Sequence, residues 1–343
     1  MTIKENLAYL KYFGFDLTFW KTLNKIFSRK KTKISWKIRE INNYHIEKYL
    51  KKVCCKTINE FLENNTVQLE ELEIVKENLK RDSQLKNNVI WTMWWQGEEN
   101  APELVRACIN SVRKNSNGHP VIVLDKDNFF NYITLPDEIM DRYIYWRVDQ
   151  SAMKNCSLDN TRLSDIIRCG LLSYYGGVWC DATMFFSDVI PERIFLEEWS
   201  TLGQDNDWYI GGGRWSSFFM GCRMNNPLMK YVYKMHVEYF SKKRYWVHYL
   251  LIDYFIDMVY RSNVCIIKMI DEVKTENKKC LTINRNHDEI AEGEVIESFL
   301  KQQRFHKLSW RWWGNTKDAQ IQNLTKTGEQ TWFGYLYENY IKE

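Results

Sequence analysis

Two short groups of residues in this chain have types and spacings that could do chemistry. Asp181 is a lone carboxylate in the apolar run Val178 to Phe186 (VWCDATMFF), with the hydroxyl of Thr183 two residues on. A charge inside such a run is costly unless it is paired or binds a metal. The residues alone leave several readings of Asp181 open. It could be buried in an ion pair with Arg168, sit at a strand end facing solvent, or form part of a binding site. The second group is Asp165 and Arg168, three apart and therefore neighbours on one face of a helix. They could form a plain helix salt bridge. Alternatively, the guanidinium could present its planar fork to phosphate oxygens.

The elements that must position these groups follow from the pattern around them. Leu163, Ile166, Ile167, Gly170, Leu171 and Tyr174 recur at helical spacing, predicting a helix over 161–175 with one buried face. Gly176-Gly177 can close that helix in the left-handed conformation, and 178–186 then reads as one buried strand. Upstream, NNVIWTMWW from Asn87 predicts a first strand, PELVRACINSVRKN from Pro102 an amphipathic helix, and PVIVL at 120–124 a second strand. Strand, helix and strand in so short a stretch form a βαβ unit, which requires a parallel sheet covered by helices. Ligands of open α/β sheets collect beyond the carboxyl ends of the strands, where Trp91 and Asp181 are expected. Further on, the glycine cluster GGGRWSSFFMGCRMNNP (211–227) suggests a turn feeding a strand, and it lacks the GK[ST] of a phosphate loop. The stretch 245–260 predicts an amphipathic helix carrying Asp253 and Asp257. Asp253 could face an acceptor or simply lie on a solvated helix face.

Composition narrows the function classes. At 343 residues, 45% apolar and 15% aromatic, the chain can fill one large domain or two modest ones and is not disordered. Fifteen tryptophans exceed ordinary usage and suit either core or surfaces that stack on flat ligands. Nine cysteines without metal-ligand spacing, and no signal peptide at Met1 to Leu10, lead to the expectation of reduced thiols in the cytoplasm. Residues 1–60 hold 14 Lys/Arg against 5 Asp/Glu, a balance of +9, so the remainder carries −5. This basic excess is interleaved with Tyr9, Tyr12, Phe15, Phe19, Trp20 and Phe27. Such a mixture suits an anionic membrane surface, or else a solvated face of helices packed on the main domain. No nucleic-acid recognition motif accompanies it. Residues 1–50 read as helices broken around Ser28 to Ser35, and 56–82 as a charged helical segment. The expected organisation is a basic, aromatic helical region over 1–82 and a main domain over 83–343.

The segment LSDIIRCGLLSYYGGVWCDATMFFS (163–187) resembles the helix–GG–strand–DxD segment of GT-A glycosyltransferases. Similarity is greater to capsular polysaccharide synthesis proteins than to the glucosyltransferase domains of large clostridial toxins. It runs from VIWTMWWQGEENAPELVRACINSV near Val89 to FHKLSW at 305–310. The fold this implies is α/β and GT-A-like, with a mixed, mainly parallel sheet flanked by helices and an N-terminal helical extension. By the same resemblance Asp181-Ala182-Thr183 occupies the DxD position, with Thr183 in place of the second aspartate. A divalent metal, Mn²⁺ or Mg²⁺, would be held by Asp181 with His306 as a second ligand, and Lys307 could meet a diphosphate. A lone histidine is otherwise a core or surface residue. SDIIR resembles the SDxxR of the toxin enzymes, where aspartate and arginine hold the donor hexose and its diphosphate. Trp91 would stack on uracil, unless it is a core aromatic, and Trp94 or Trp95 could take either role. Trp310, Trp312 and Trp313 would form a platform over the donor.

The activity implied is transfer of a hexose from a UDP-sugar to a glycan acceptor, lipid-linked, in capsule or surface polysaccharide synthesis. It would retain configuration, be assisted by metal, and take place in the cytoplasm at the inner membrane face. Two rivals stand beside it. One is a degenerate, non-catalytic sugar- or membrane-partner-binding protein on the same fold, motivated by Thr183. The other is an effector that glycosylates protein.

Overall fold

The computed structural model describes residues 3–28, 32–63, 85–205, 210–273, 277–313, 325 and 328–342. In chain order the helices α1 (Ile3–Phe13), α2 (Phe15–Phe27), α3 (Lys33–Val53) and α4 (Cys55–Glu63) precede strand β1 (Ile90–Met93). Helix α5 (Glu103–Lys114) and strand β2 (Val121–Leu124) complete the first βαβ unit, and α6 (Asp137–Val148) and α7 (Asn160–Tyr175) lead to β3 (Gly177–Cys180). There follow β4 (Met184–Phe186), α8 (Arg193–Leu196), β5 (Trp199–Thr201), β6 (Phe219–Cys222), α9 (Pro227–Lys242) and α10 (Leu251–Ser262). The chain closes with α11 (Val264–Asp271), α12 (Thr282–Arg285), α13 (Gly293–Gln302), β7 (Phe305–Lys307) and α14 (Trp332–Leu336). The boundary expected at 82, and the helical reading of 64–82, lie outside the described residues.

The chain divides into two compact units. One comprises Met1–Glu70, Leu135–Gly170 and Pro227–Ile266, and among its described residues it is built of helices. Its core forms where apolar faces of α3, α9 and α10 meet, around Ile46, Leu50, Met235, Tyr239 and Phe255. One glutamate ties a helix end: Glu238 on α9 accepts the backbone N–H groups of Lys56 and Thr57, donors that the first turn of α4 cannot satisfy itself.

The other unit holds both sheets. Its five strands run in the order β2-β1-β3-β6-β5, with β2, β1 and β3 parallel, β6 antiparallel to β3, and β5 antiparallel to β6. Four of these five strands therefore point the same way, and helices flank the sheet: the mixed, mainly parallel α/β architecture expected from the sequence. Strands β1, β3 and β6 are buried along their whole length, the pattern of a central sheet covered on both faces. A second sheet pairs β4 with β7 antiparallel, setting Met184 opposite Lys307 and Phe185 opposite His306. The single strand expected over 178–186 is thus two strands in two sheets. Asp181, Ala182 and Thr183 form the turn between them, closed by the Met184 N–H donating to the Asp181 carbonyl (2.8 Å).

Gly176 and Gly177 set the start of β3. Gly176 donates its N–H to the Leu172 carbonyl (3.0 Å), ending α7, and both glycines have positive φ, +71° and +85°. A side chain at either position would also collide with backbone. At Gly177 it would meet the Val89 carbonyl, and at Gly176 the Met224 amide and the Asn87 side chain. Gly177→Ala therefore combines left-handed strain with a backbone clash, and the expected loss is about 2 kcal/mol or more. Urea unfolding of the variant against the parent measures it.

Candidate functional site

Asp181 sits at the carboxyl end of β3, half-buried, and its two oxygens have different partners. Trp179 Nε1 donates to Oδ1 at 3.0 Å, and Lys307 Nζ donates to Oδ2 at 2.9 Å. Trp179 was missed on sequence, although the signal was present: residues two apart on a strand share a face. The same Lys307 ammonium donates to Thr183 Oγ1 at 2.6 Å and lies 5.5 Å from the centre of the Phe218 ring. Lys307 reaches this position because β7 pairs with β4, so the register of a short two-stranded sheet delivers a residue 126 positions away in sequence. The side chains of Lys307 and Asp181 remain 19% and 27% exposed, so the cluster opens to solvent. An ammonium has three N–H donors. Two are committed to Asp181 and Thr183, and among the described residues the third has no partner.

His306 is not brought to Asp181. It precedes Lys307 on an extended strand and points to the opposite face. There it is fully buried, with Nε2 3.0 Å from Ser187 Oγ and its ring beside Phe185 and Phe299. Burial pushes its pKa down to about 3. The expected metal pair is therefore corrected: one of its members is a core residue. The spot between Asp181 Oδ2 and Thr183 Oγ1, where a divalent ion would bind, is where Lys307 Nζ lies, and two cations there repel. Among the described residues no group of three or more His, Cys, Asp or Glu side chains is arranged to hold a metal. The residues present at Asp181 do not fit a protein-held divalent ion.

Trp91 is also corrected. It is 0% exposed in the centre of the sheet, donates Nε1 to the Gly176 carbonyl (3.2 Å), and packs edge-on and tilted against Tyr132 and Tyr175. No face of it is open to a base. The residue that leaves β1 at its carboxyl end is Trp94, half-buried, in edge contact with Trp310 (5.9 Å between ring centres). Both pack against the small apolar cluster of Ala101, Val105, Ile109 and Ala182, the last of these being the middle residue of the turn. The side chains of Trp312 and Trp313 lie outside the described residues.

Asp165, Arg168 and Asp253 belong to the helical unit. Asp165 Oδ2 is 3.3 Å from Arg162 Nε and Oδ1 is 3.2 Å from Arg168 Nη2, all three side chains being buried. Arg168 also donates to the Ser164 carbonyl and hydroxyl. Here these residues form a buried ion cluster in the first part of α7. Asp253 lies in the first turn of α10, where a carboxylate favours the helix dipole. His236 on α9 donates Nδ1–H to the Val232 carbonyl (2.9 Å); burial first, then the positive charge of Arg168 and Arg162, lowers its pKa to about 3. The native state thus refuses a proton that the unfolded chain accepts near pH 6.5, so stability is full above that pH and falls as pH drops toward 3. Between pH 6.5 and 5 this amounts to about 2 kcal/mol. Unfolding free energies measured across that window should fall steeply in the parent and less steeply in His236→Gln.

Residues 25–326 match the family model of capsular polysaccharide synthesis proteins, and the chain belongs to that family. No curated protein and no solved structure matches it.

Proposed function

We propose that this member of the capsular polysaccharide synthesis family is a glycosyltransferase that moves a hexose from a UDP-sugar to a glycan acceptor, with the donor diphosphate at the Asp181–Thr183–Lys307 cluster. The observation that carries this reading is the Lys307 ammonium, clamped by Asp181 and Thr183 at a strand's carboxyl end and open to solvent. Leaving-group departure places negative charge on a diphosphate oxygen, and a fixed N–H donor pointed at that oxygen stabilises the transition state more than the ground state. The Asp181–Lys307 pair has no net charge. Its contribution is directional: Asp181 and Thr183 hold the ammonium in place, so no reorganisation is needed when the phosphate charge develops. Trp94 and Trp310 supply flat surfaces beside the turn for the uracil.

The retaining outcome implied by the family resemblance is compatible with a front-face route. The bond between the anomeric carbon and the diphosphate oxygen breaks, and the acceptor oxygen bonds to the same face of that carbon. The acceptor's hydroxyl proton passes to the departing diphosphate oxygen. No protein nucleophile is required. Chemistry of this kind consists of positioning and charge stabilisation, which is what a clamped lysine and a carboxylate provide. The acceptor is proposed to be a lipid-linked glycan of a surface polysaccharide.

UDP release from a panel of UDP-sugars, with and without EDTA, tests the reading. Turnover of one donor is expected to persist in EDTA and to fall about 10²- to 10³-fold in Lys307→Ala, the scale of losing one preorganised donor. Trp94→Ala is expected to weaken donor binding by about 1–3 kcal/mol, as for a lost base-stacking surface. Failure to bind any UDP-sugar would sink the donor assignment and favour a non-catalytic binding protein.

A further inference from the structure

The helices α1 and α2 are turned the wrong way for a free-standing protein. On α2, Phe15, Phe19, Thr22 and Ile26 recur at the spacing of one helical stripe, and this stripe faces outward: Phe15 is 69%, Phe19 43% and Ile26 61% exposed. On α1, Ile3 and Leu7 form a similar stripe, 80% and 62% exposed. A lysine, meanwhile, is turned inward. Lys21 Nζ lies 3.5 Å from the centre of the buried Tyr9 ring, whose hydroxyl donates to the Val247 carbonyl (2.7 Å). Burial lowers the Lys21 pKa to about 8. The fold thus accepts an inward cation while leaving two phenylalanines and an isoleucine outside, which wastes apolar area in water. On these two helices Lys4, Lys11 and Lys25 are exposed, against a single exposed acid, Asp16.

An apolar stripe edged with lysines matches one partner chemistry, an acyl surface covered by anionic headgroups. We propose that the outward faces of α1 and α2 dock the protein on an anionic lipid bilayer, with Phe15, Phe19 and Ile26 entering the headgroup–acyl boundary and the lysines meeting lipid phosphates. The helices lie on the membrane and do not cross it, since among the described residues no helix is long and apolar enough to span. Each lysine at an anionic surface contributes about fivefold in partitioning, and screening by salt removes that part. This surface does not depend on the catalytic reading. Docking can fail while sugar transfer stands, and the reverse.

Co-sedimentation of the full chain with vesicles tests it, comparing phosphatidylcholine alone with phosphatidylcholine containing phosphatidylglycerol. Binding is expected to the mixed vesicles, to weaken with salt, and to fall about tenfold or more in the combined variant Phe15→Ser, Phe19→Ser, Ile26→Ser. That variant should keep its helical circular dichroism and thermal midpoint, because the altered side chains are exposed. Should it not fold, Lys4→Glu, Lys11→Glu, Lys25→Glu is the second variant, with the same loss expected. Absence of binding to either vesicle, or equal binding by the parent and a folded variant, would overturn the proposal. A parent that forms dimers by sedimentation velocity, with the serine variant monomeric, would also overturn it, showing a second copy of the chain on this face.

Discussion

The contact on which the site depends is the ion pair between Lys307 and Asp181. It joins the turn leaving the central strand of one sheet to the last strand of another, and it fixes an ammonium at a position open to solvent. Everything around it serves that placement. The two glycines end α7 and start β3 with no room for a side chain, so β3 enters the sheet at one register. Pairing of β4 with β7 then brings Lys307 over Asp181 and Thr183. Trp179, buried beneath, orients the carboxylate from the other side. A half-exposed ion pair contributes little to stability. Its value lies in geometry.

The departure from aspartate at Thr183 acquires a physical meaning in this arrangement. A second carboxylate beside Asp181 would strengthen a site for a dication, whereas a hydroxyl accepts a hydrogen bond from an ammonium without adding charge. One carboxylate, one hydroxyl and one lysine form a neutral cluster in which the lysine commits two of its three N–H donors. His306, the other expected ligand, is committed to the core on the far side of its strand. The same alternation along β7 that buries the histidine exposes the lysine.

Much of this was legible in the sequence. The spacing of apolar residues identified the first βαβ unit, α7 and the double-glycine turn, and Asp181 stood out as a charge in an apolar run. Other features required the fold. Strand β7 is three residues long, and nothing local says that it pairs with β4, so Lys307 could be named as a phosphate ligand but not as a partner of Thr183. Trp91 and Trp94 differ on sequence only by three positions in an aromatic run. Which is core and which borders the site follows from where β1 ends. The break at Asp181–Thr183 was hidden because both flanking strands are fully buried and read as one.

In the proposed site the donor diphosphate is met by lysine rather than by a metal held at Asp181. Calorimetric titration of UDP into the protein in EDTA addresses this directly, repeated with Mn²⁺ and with Lys307→Ala. Binding in EDTA, little changed by Mn²⁺ and at least about tenfold weaker in the variant, is the predicted result. Binding that appears only with Mn²⁺ and is unaffected by loss of Lys307 would contradict it.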